Sequence, residues 1–159
     1  CYIIDGSTNP KDWGKVPKDD DWKSWEDWVN VECDFSANGY RLPTHREWEY
    51  AARGGNGLKG YQFQYAGSDN LDEVAVWNTD VVSEIKTKKP NDLGIYDLNG
   101  NIEEWTFQRY GDYILYAGGY YFIKQPEVFA FSWPYTGCVA LSPAFRNTQL
   151  GLRVVCTAD

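Results

Sequence analysis

Residues 38–55 read NGYRLPTHREWEYAARGG, and this stretch contains the clearest helix signal in the chain. Thr44, followed three positions later by Glu47, fits a capping box. In that motif the Thr side chain accepts a hydrogen bond from the first turn and the Glu side chain reaches back to the cap. Two glycines directly after the periodic segment are a typical stop signal. The pattern therefore predicts a helix over 44–53 with a narrow apolar face.

Outside this helix the chain consists of short strand-like runs separated by turn residues. The runs CYIID (1–5) and VNVECDF (29–35) flank a polar loop, so we predict a long-looped hairpin that brings Cys1 near Cys33. Whether those two thiols form a disulfide stays open. No second long helical period appears in the rest of the chain. The predicted class is therefore α+β, with one or two short helices and many irregular loops.

The overall composition excludes two classes of function. The 159 residues carry a formal net charge of -8, and the 15 basic residues form no cluster, so the chain would repel a phosphate backbone. Apolar residues make up 43% of the chain, but no run approaches the roughly 20 residues that a membrane span needs. We therefore expect no nucleic-acid partner and no transmembrane segment in this chain.

Aromatic side chains are abundant, at 17% of the residues. Tyr and Trp give a large rigid contact area at low entropic cost, which suits a binding surface, although a compact core uses them too. For any single ring the sequence leaves these two roles open. The four cysteines show no metal-ligand spacing, and no motif ties the single histidine, His45, to a nucleophile.

Three stretches of the chain together resemble one known family. They are NGYRLPTHREWEYAARGG (38–55), KKPNDLGIYDLNGNIEEWT (88–106) and LGLRVV (150–155). Their order and separations are similar to those of the sulfatase-modifying-factor family, the formylglycine-generating enzyme domain. The resemblance implies a C-type-lectin-like fold with little regular secondary structure. It also implies that residues 1–159 are one domain whose N-terminal part is missing. We expect that a lipid anchor could lie on that missing part.

The resemblance further implies a calcium site in the stretch DLNGNIEEW. By position, Asp97 and Glu104 would give side-chain oxygens, while Gly100 and Ile102 would give carbonyl oxygens. Calcium takes about six to eight oxygen ligands in adaptable geometry, so this set is chemically reasonable. The alternative is a hairpin turn at the Asn-Gly pair with solvated glutamates after it. We expect calcium as a structural cofactor.

The same resemblance bears on catalysis. The family's oxidase binds copper through two cysteines five positions apart, just before the last strand. Here the corresponding region has Cys138 alone, with Trp133 and Pro143 at the spaced positions, and one thiol cannot provide the two-sulfur ligation that suits Cu(I). The family's iron-dependent branch needs several histidines, and only His45 is present. We therefore predict that the chain is not an enzyme, with an oxidoreductase that uses Cys138 as the alternative.

In the C-terminal third of the chain, aromatic rings alternate with small residues. Such a composition is typical of a binding surface. The pattern resembles the variable proteins of diversity-generating retroelements, and the treponemal type in particular, in which this segment changes to alter ligand specificity. The predicted ligand-binding residues are Tyr121, Phe122, Phe129, Phe131, Trp133, Tyr135, Thr136, Phe145, Thr148 and Gln149.

This subgroup resemblance sets the expected function of the chain. We predict a non-catalytic protein that binds a protein or carbohydrate ligand at the surface of a bacterium or outside it. A structural module of a surface protein is a second alternative. We expect partly exposed rings over 129–135, and we interpret Arg146 and Arg153 as scaffold donors rather than ligand contacts. The identity of the ligand, the oligomeric state and variation within 120–149 stay open.

Overall fold

Turn residues divide the chain into short elements, and the longest strand among the described residues is the eight-residue Glu103–Tyr110. The structure is a computed structural model that describes residues 1–15, 30–55, 63–111, 113–130, 139–141 and 147–157. Its contacts divide the chain into two units, Cys1–Leu42 with Val154–Asp159, and Pro43–Arg153. Within the described ranges no helix has the length and apolar character to span a membrane.

The first unit contains two small antiparallel ladders. Strand β1 (Tyr2–Ile4) pairs with β2 (Val31–Cys33), with Tyr2 opposite Cys33. Strand β3 (Tyr40–Arg41) pairs with β10 (Val155–Cys156). The predicted long-looped hairpin is therefore confirmed. Cys1 is a free thiol in this structure, so it forms no disulfide with Cys33.

The second unit begins with the helix that the capping box predicts. Helix α1 runs over His45–Ala52. The Thr44 hydroxyl accepts from the Glu47 backbone N–H at 3.2 Å, and the Glu47 carboxylate accepts from the Thr44 N–H at 2.7 Å. Both bonds satisfy donors that a helix start leaves without partners. The predicted helix is thus confirmed, and Trp48 on its apolar face is buried.

The remaining elements of this unit form a short parallel pair and a sheet. Helix α2 (Leu71–Val74) leads into β4 (Ala75–Val76), which pairs in parallel with β5 (Asn99–Gly100). A four-stranded sheet has the order β8-β7-β6-β9. Its strands are β6 (Glu103–Tyr110), β7 (Tyr113–Ala117), β8 (Val139–Leu141) and β9 (Leu150–Leu152). Strand β9 is parallel to β6, and the other neighbours are antiparallel.

Two clusters of buried side chains stabilise this unit. The first lies between α1 and the sheet and consists of Trp48, Ala52, Ala66, Leu98 and Ala117. The second surrounds α2 and consists of Tyr65, Leu71, Val74, Ala75, Phe129 and Ala130. Since successive side chains of a strand point to opposite faces, β6 places Glu104 toward α1 and Glu103 on the other face. The mixture of short helices and sheets confirms the α+β class.

Candidate functional site

The predicted calcium stretch is an irregular segment that leads into the sheet. Asn99 and Gly100 form β5 beside β4, and the next two carboxylates, Glu103 and Glu104, are only 8% and 9% exposed. The alternative of a hairpin turn with solvated glutamates is therefore wrong. Gly100 has a φ of 73°, and a Cβ at this position would lie 2.1 Å from the Val76 carbonyl oxygen. Because only glycine avoids this overlap, the pairing of β5 with β4 depends on it.

A surface cavity of about 490 Å³ lies beside this segment. It brings together three of the four predicted calcium ligands, Asp97, Ile102 and Glu104, whereas Gly100 is not among its lining residues. The other lining residues are Ile85, Lys86, Gly94, Ile95, Tyr96, Asn101, Gly151, Leu152 and Arg153. The cavity therefore combines two carboxylates with two cationic side chains.

Asp97 has one carboxylate oxygen that is buried without a hydrogen-bond partner among the described residues, its Oδ1. The other oxygen, Oδ2, accepts from the Lys86 backbone N–H at 2.8 Å. Asp97 itself has a φ of 57°, in the left-handed region that few non-glycine residues adopt. A buried acceptor without a donor is unfavourable unless something binds it. Asp97 Oδ1 therefore fits an oxygen-seeking cation.

Glu104 differs from Asp97 because both of its carboxylate oxygens already have donors. Trp48 Nε1 donates to Oε2 at 2.7 Å, Arg153 Nε donates to the same oxygen at 2.8 Å, and Arg153 Nη2 donates to Oε1 at 2.6 Å. Arg153 thus acts as a scaffold donor, as the sequence predicts. Carboxylate oxygens are of the type that calcium prefers, and of the two carboxylates at this cavity only Asp97 has a buried oxygen without a donor among the described residues.

Glu103 lies on the opposite face of β6 and has a different electrostatic environment. Burial raises the pKa of its carboxyl group to about 7. Its backbone N–H donates to the Gln149 carbonyl at 2.9 Å. This bond ties the end of the C-terminal segment to the start of the sheet.

Part of the predicted ligand-binding segment is displayed on a backbone held by hydrogen bonds. The Tyr121 N–H donates to the Asn101 carbonyl at 3.1 Å, and the Tyr121 carbonyl accepts from the Thr79 N–H at 2.9 Å. Phe122 is 45% exposed, with the Lys124 ammonium 5.4 Å from the centre of its ring. The structure therefore presents an exposed ring next to a hydrogen-bonded stretch of backbone.

The second described part of that segment is attached nearby. Thr148 is exposed and Gln149 is half-buried, and the Gln149 N–H donates to the Asn147 side chain at 3.2 Å. Because Asn101 binds Tyr121 and Glu103 binds Gln149, two predicted ligand-binding positions are attached to residues only two apart in the chain. The structure brings these positions together on the segment that also carries the predicted calcium ligands.

Phe129 does not belong to an exposed face. It is 4% exposed and makes an edge-to-face contact with Trp77, with ring centres 6.4 Å apart. The expectation of a partly exposed ring is therefore wrong at this position, because Phe129 fills the core around α2. The remaining predicted positions lie outside the described residues; they are Phe131, Trp133, Tyr135, Thr136 and Phe145.

Three buried asparagines position the loops around the site. Asn91 donates to the carbonyls of Ala51 and Ala52 at the end of α1. Asn99 exchanges two hydrogen bonds with the backbone of Ala66, and Asn101 does the same with Ser83. Sequence reasoning did not identify them as structural residues. The signal that could have identified them is that all three lie in the stretch 88–106. A buried side-chain amide can hydrogen-bond the backbone groups of loops that have no partner in a strand.

The four-stranded sheet packed against α1 and the many hydrogen-bonded loops define the class of protein. It is a C-type-lectin-like domain of the formylglycine-generating-enzyme type. The sulfatase-modifying factor enzyme 1-like domain matches residues 15–158, so the chain belongs to this family. The suspected family and the low content of regular structure are thereby confirmed.

Solved structures and sequence relatives place the chain more closely within the family. It is similar to Treponema denticola variable protein 1, with a TM-score of 0.69 and 30% identity over 82% of this chain and 52% of that one. It is 37% identical to the chaperone protein LppX of Paenibacillus barcinonensis, over 67% of this chain and 42% of that protein. It is 36% identical to the inactive C-alpha-formylglycine-generating enzyme 2 of Bos taurus, over 55% of this chain and 32% of that protein.

These similarities cover the relatives only in part. The chain spans about half the length of the variable protein and less than half of the length of LppX. Formylglycine-generating enzymes not described as inactive are also among the relatives. Membership of the family therefore establishes the fold but no activity.

Proposed function

We propose that this chain binds a protein or carbohydrate ligand without catalysing a reaction. The binding face consists of Tyr121 and Phe122 together with the C-terminal residues Phe131, Trp133, Tyr135, Thr136, Phe145, Thr148 and Gln149. Its place is the surface of a bacterium or the medium outside it. The similarity to a variable protein and to an inactive member of the family supports this proposal.

One observation carries the proposal, namely an exposed ring on a fixed backbone. The backbone of Tyr121–Ile123 makes hydrogen bonds of 2.9–3.1 Å. Its carbonyls accept from the N–H groups of Asn78 and Thr79, and the Tyr121 N–H donates to the Asn101 carbonyl. Because this backbone is already ordered, binding would not have to order it, and the ring of Phe122 is available for contact. An exposed apolar ring next to a cation suits recognition of a partner rather than packing of a core.

A binding experiment tests the proposed face. The chain would be screened against a glycan array and a displayed peptide library, and the tightest binder would be titrated by calorimetry. Phe122→Ala and Tyr121→Ala should each weaken that binder by about tenfold or more, as truncation of interface anchors does. Tyr50→Ala is the matched control, because Tyr50 is an exposed ring on α1. If all three variants lost affinity equally, or if none of them lost affinity, the binding face would lie elsewhere.

The enzyme alternative has a separate test. The chain would be incubated with Cu(I), oxygen and a cysteine-containing peptide, and oxygen consumption would be followed. No turnover above the free-copper background is expected. Turnover that disappears in Cys138→Ser would refute the non-catalytic proposal.

We also propose that calcium binds at the Asp97–Glu104 segment as a structural ion. The ligands would be Asp97, the carbonyl oxygens of Gly100 and Ile102, and Glu104. Support comes from the buried Asp97 Oδ1 that has no donor among the described residues. In this role calcium would neutralise the carboxylates and hold together the segment that ties down Tyr121 and Gln149.

Chelation tests this ion. A ligand that binds only the folded state raises the melting temperature by mass action, so the melting temperature in excess EGTA should be lower than in about 5 mM CaCl₂. Asp97→Asn should reduce that difference, whereas Asp80→Asn, which changes an exposed aspartate, should not. Identical melting curves with CaCl₂ and with EGTA would refute a structural calcium ion.

A further inference from the structure

Arg153 makes contacts that resemble those of a bound metal ion. Its guanidinium donates twice to the Glu104 carboxylate, at 2.6 and 2.8 Å. The same Nη2 donates to the carbonyl oxygens of Tyr96 at 3.0 Å and Asp97 at 3.4 Å. One positive group therefore connects a buried carboxylate to two backbone carbonyls of the neighbouring loop. Carboxylates and carbonyls are also the ligands that calcium prefers.

We propose that Arg153 is an internal cation that competes with calcium for Glu104. While Arg153 binds Glu104, the Asp97–Glu104 segment keeps its fold without metal. Its affinity for calcium is then lower than that of the same two carboxylates without Arg153. This inference rests on the calcium part of the proposed function.

The competition follows from the number of available acceptor sites and from charge. Trp48 and Arg153 together place three donors on the Glu104 carboxylate, so they leave only one of its roughly four acceptor positions for a metal ion. The Arg153 side chain is 27% exposed, and it would lose its carboxylate partner in a partly desolvated place. The two cations would also repel each other at this short range. Among the described side-chain oxygens that line this cavity, Asp97 Oδ1 is buried and has no hydrogen-bond donor to displace.

The test compares calcium binding by the wild-type chain and by Arg153→Met. Methionine keeps an unbranched apolar stem and removes the charge and the donors. We expect calcium to bind Arg153→Met at least about tenfold more tightly in a calorimetric titration with CaCl₂. In EGTA the variant should melt below the wild type, and millimolar CaCl₂ should restore much of the loss. Arg53→Met is the matched control, because Arg53 pairs with Glu49 on α1 and should not change calcium affinity.

The outcomes separate this inference from the calcium proposal itself. Equal calcium affinity in the wild type and Arg153→Met would overturn the competition and leave the calcium site standing. No calcium binding by either protein would overturn both. If Arg153→Met does not fold, the wild type decides, through hydrogen exchange of the Arg153 Nε–H measured by NMR. Faster exchange after CaCl₂ is added supports release of Arg153, and saturation with calcium at unchanged exchange overturns it.

Discussion

Glu103 illustrates how a single residue can make stability depend on pH. Glu103 is 8% exposed, and burial raises the pKa of its carboxyl group from 4.5 to about 7. Ionisation without a compensating partner is costly in such a place, because the charged form loses solvation by water. A group whose pKa is raised by folding favours the native state when it is protonated, and that contribution is lost as pH rises through the folded pKa.

We predict that Glu103→Gln removes this pH dependence. At about 1.4 kcal/mol for each pKa unit, the ionised carboxyl destabilises the native state by up to about 3 kcal/mol above pH 8. In urea unfolding at pH 5, just above the unfolded pKa of 4.5, the variant should be more stable than the wild type by only about 1 kcal/mol or less. At pH 8 the variant should be more stable by about 2 to 3 kcal/mol.

An exposed glutamate provides the control for this prediction. Glu84 is exposed, so Glu84→Gln should leave the difference between the two pH values as it is in the wild type. The difference in unfolding free energy between the wild type and Glu103→Gln would be the same at pH 5 and pH 8 if the Glu103 carboxyl were solvated in the native state.

At the scale of elements, the pairing of β5 with β4 depends on one glycine. Gly100→Ala would place a methyl group 2.1 Å from the Val76 carbonyl oxygen while keeping a left-handed φ of 73°. Strain and overlap together should destabilise the fold by about 3 kcal/mol or more, as measured by urea unfolding. Because β5 directly precedes Asn101, whose carbonyl accepts from the Tyr121 N–H, loss of the pairing should also weaken the proposed ligand binding.

Gly94 separates backbone strain from overlap in this experiment. Its φ of 74° is nearly that of Gly100, but no atom of the described residues lies within 4 Å of an added Cβ. Gly94→Ala should therefore cost only the left-handed conformation, about 1 kcal/mol. Equal losses for the two alanine variants would mean that β4 moves aside and that the close approach is not essential.

Elements whose signals are local could be predicted from the sequence, and elements that depend on distant partners could not. The capping bonds of α1 join residues three positions apart, so Thr44 and Glu47 alone indicate the helix start. Strand β5 has two residues and pairs with a strand more than twenty positions earlier. No periodicity exists in two residues, and the Asn-Gly pair there is equally typical of a hairpin turn.

At the scale of the whole molecule, the site shows the same division. The resemblance supplied the positions Asp97, Ile102 and Glu104, and the structure places all three at one cavity. The resemblance did not reveal that Arg153, which lies 49 residues after Glu104, donates hydrogen bonds to the Glu104 carboxylate. Exposure of a ring is also a property of the folded molecule, which is why Phe129 and Phe122 could not be distinguished by composition.

The proposed function requires that the exposed binding face be separate from the buried core. Phe129 is 4% exposed in the core around α2, whereas Phe122 is 45% exposed. We predict that Phe129→Ala destabilises the fold by about 3 to 5 kcal/mol, because it removes a buried ring and leaves a cavity. Phe122→Ala should change the free energy of unfolding by less than about 1 kcal/mol and lose affinity for the array-selected ligand. Urea unfolding checks both values, and a loss of stability in Phe122→Ala equal to that in Phe129→Ala would mean that this face cannot vary independently of the core.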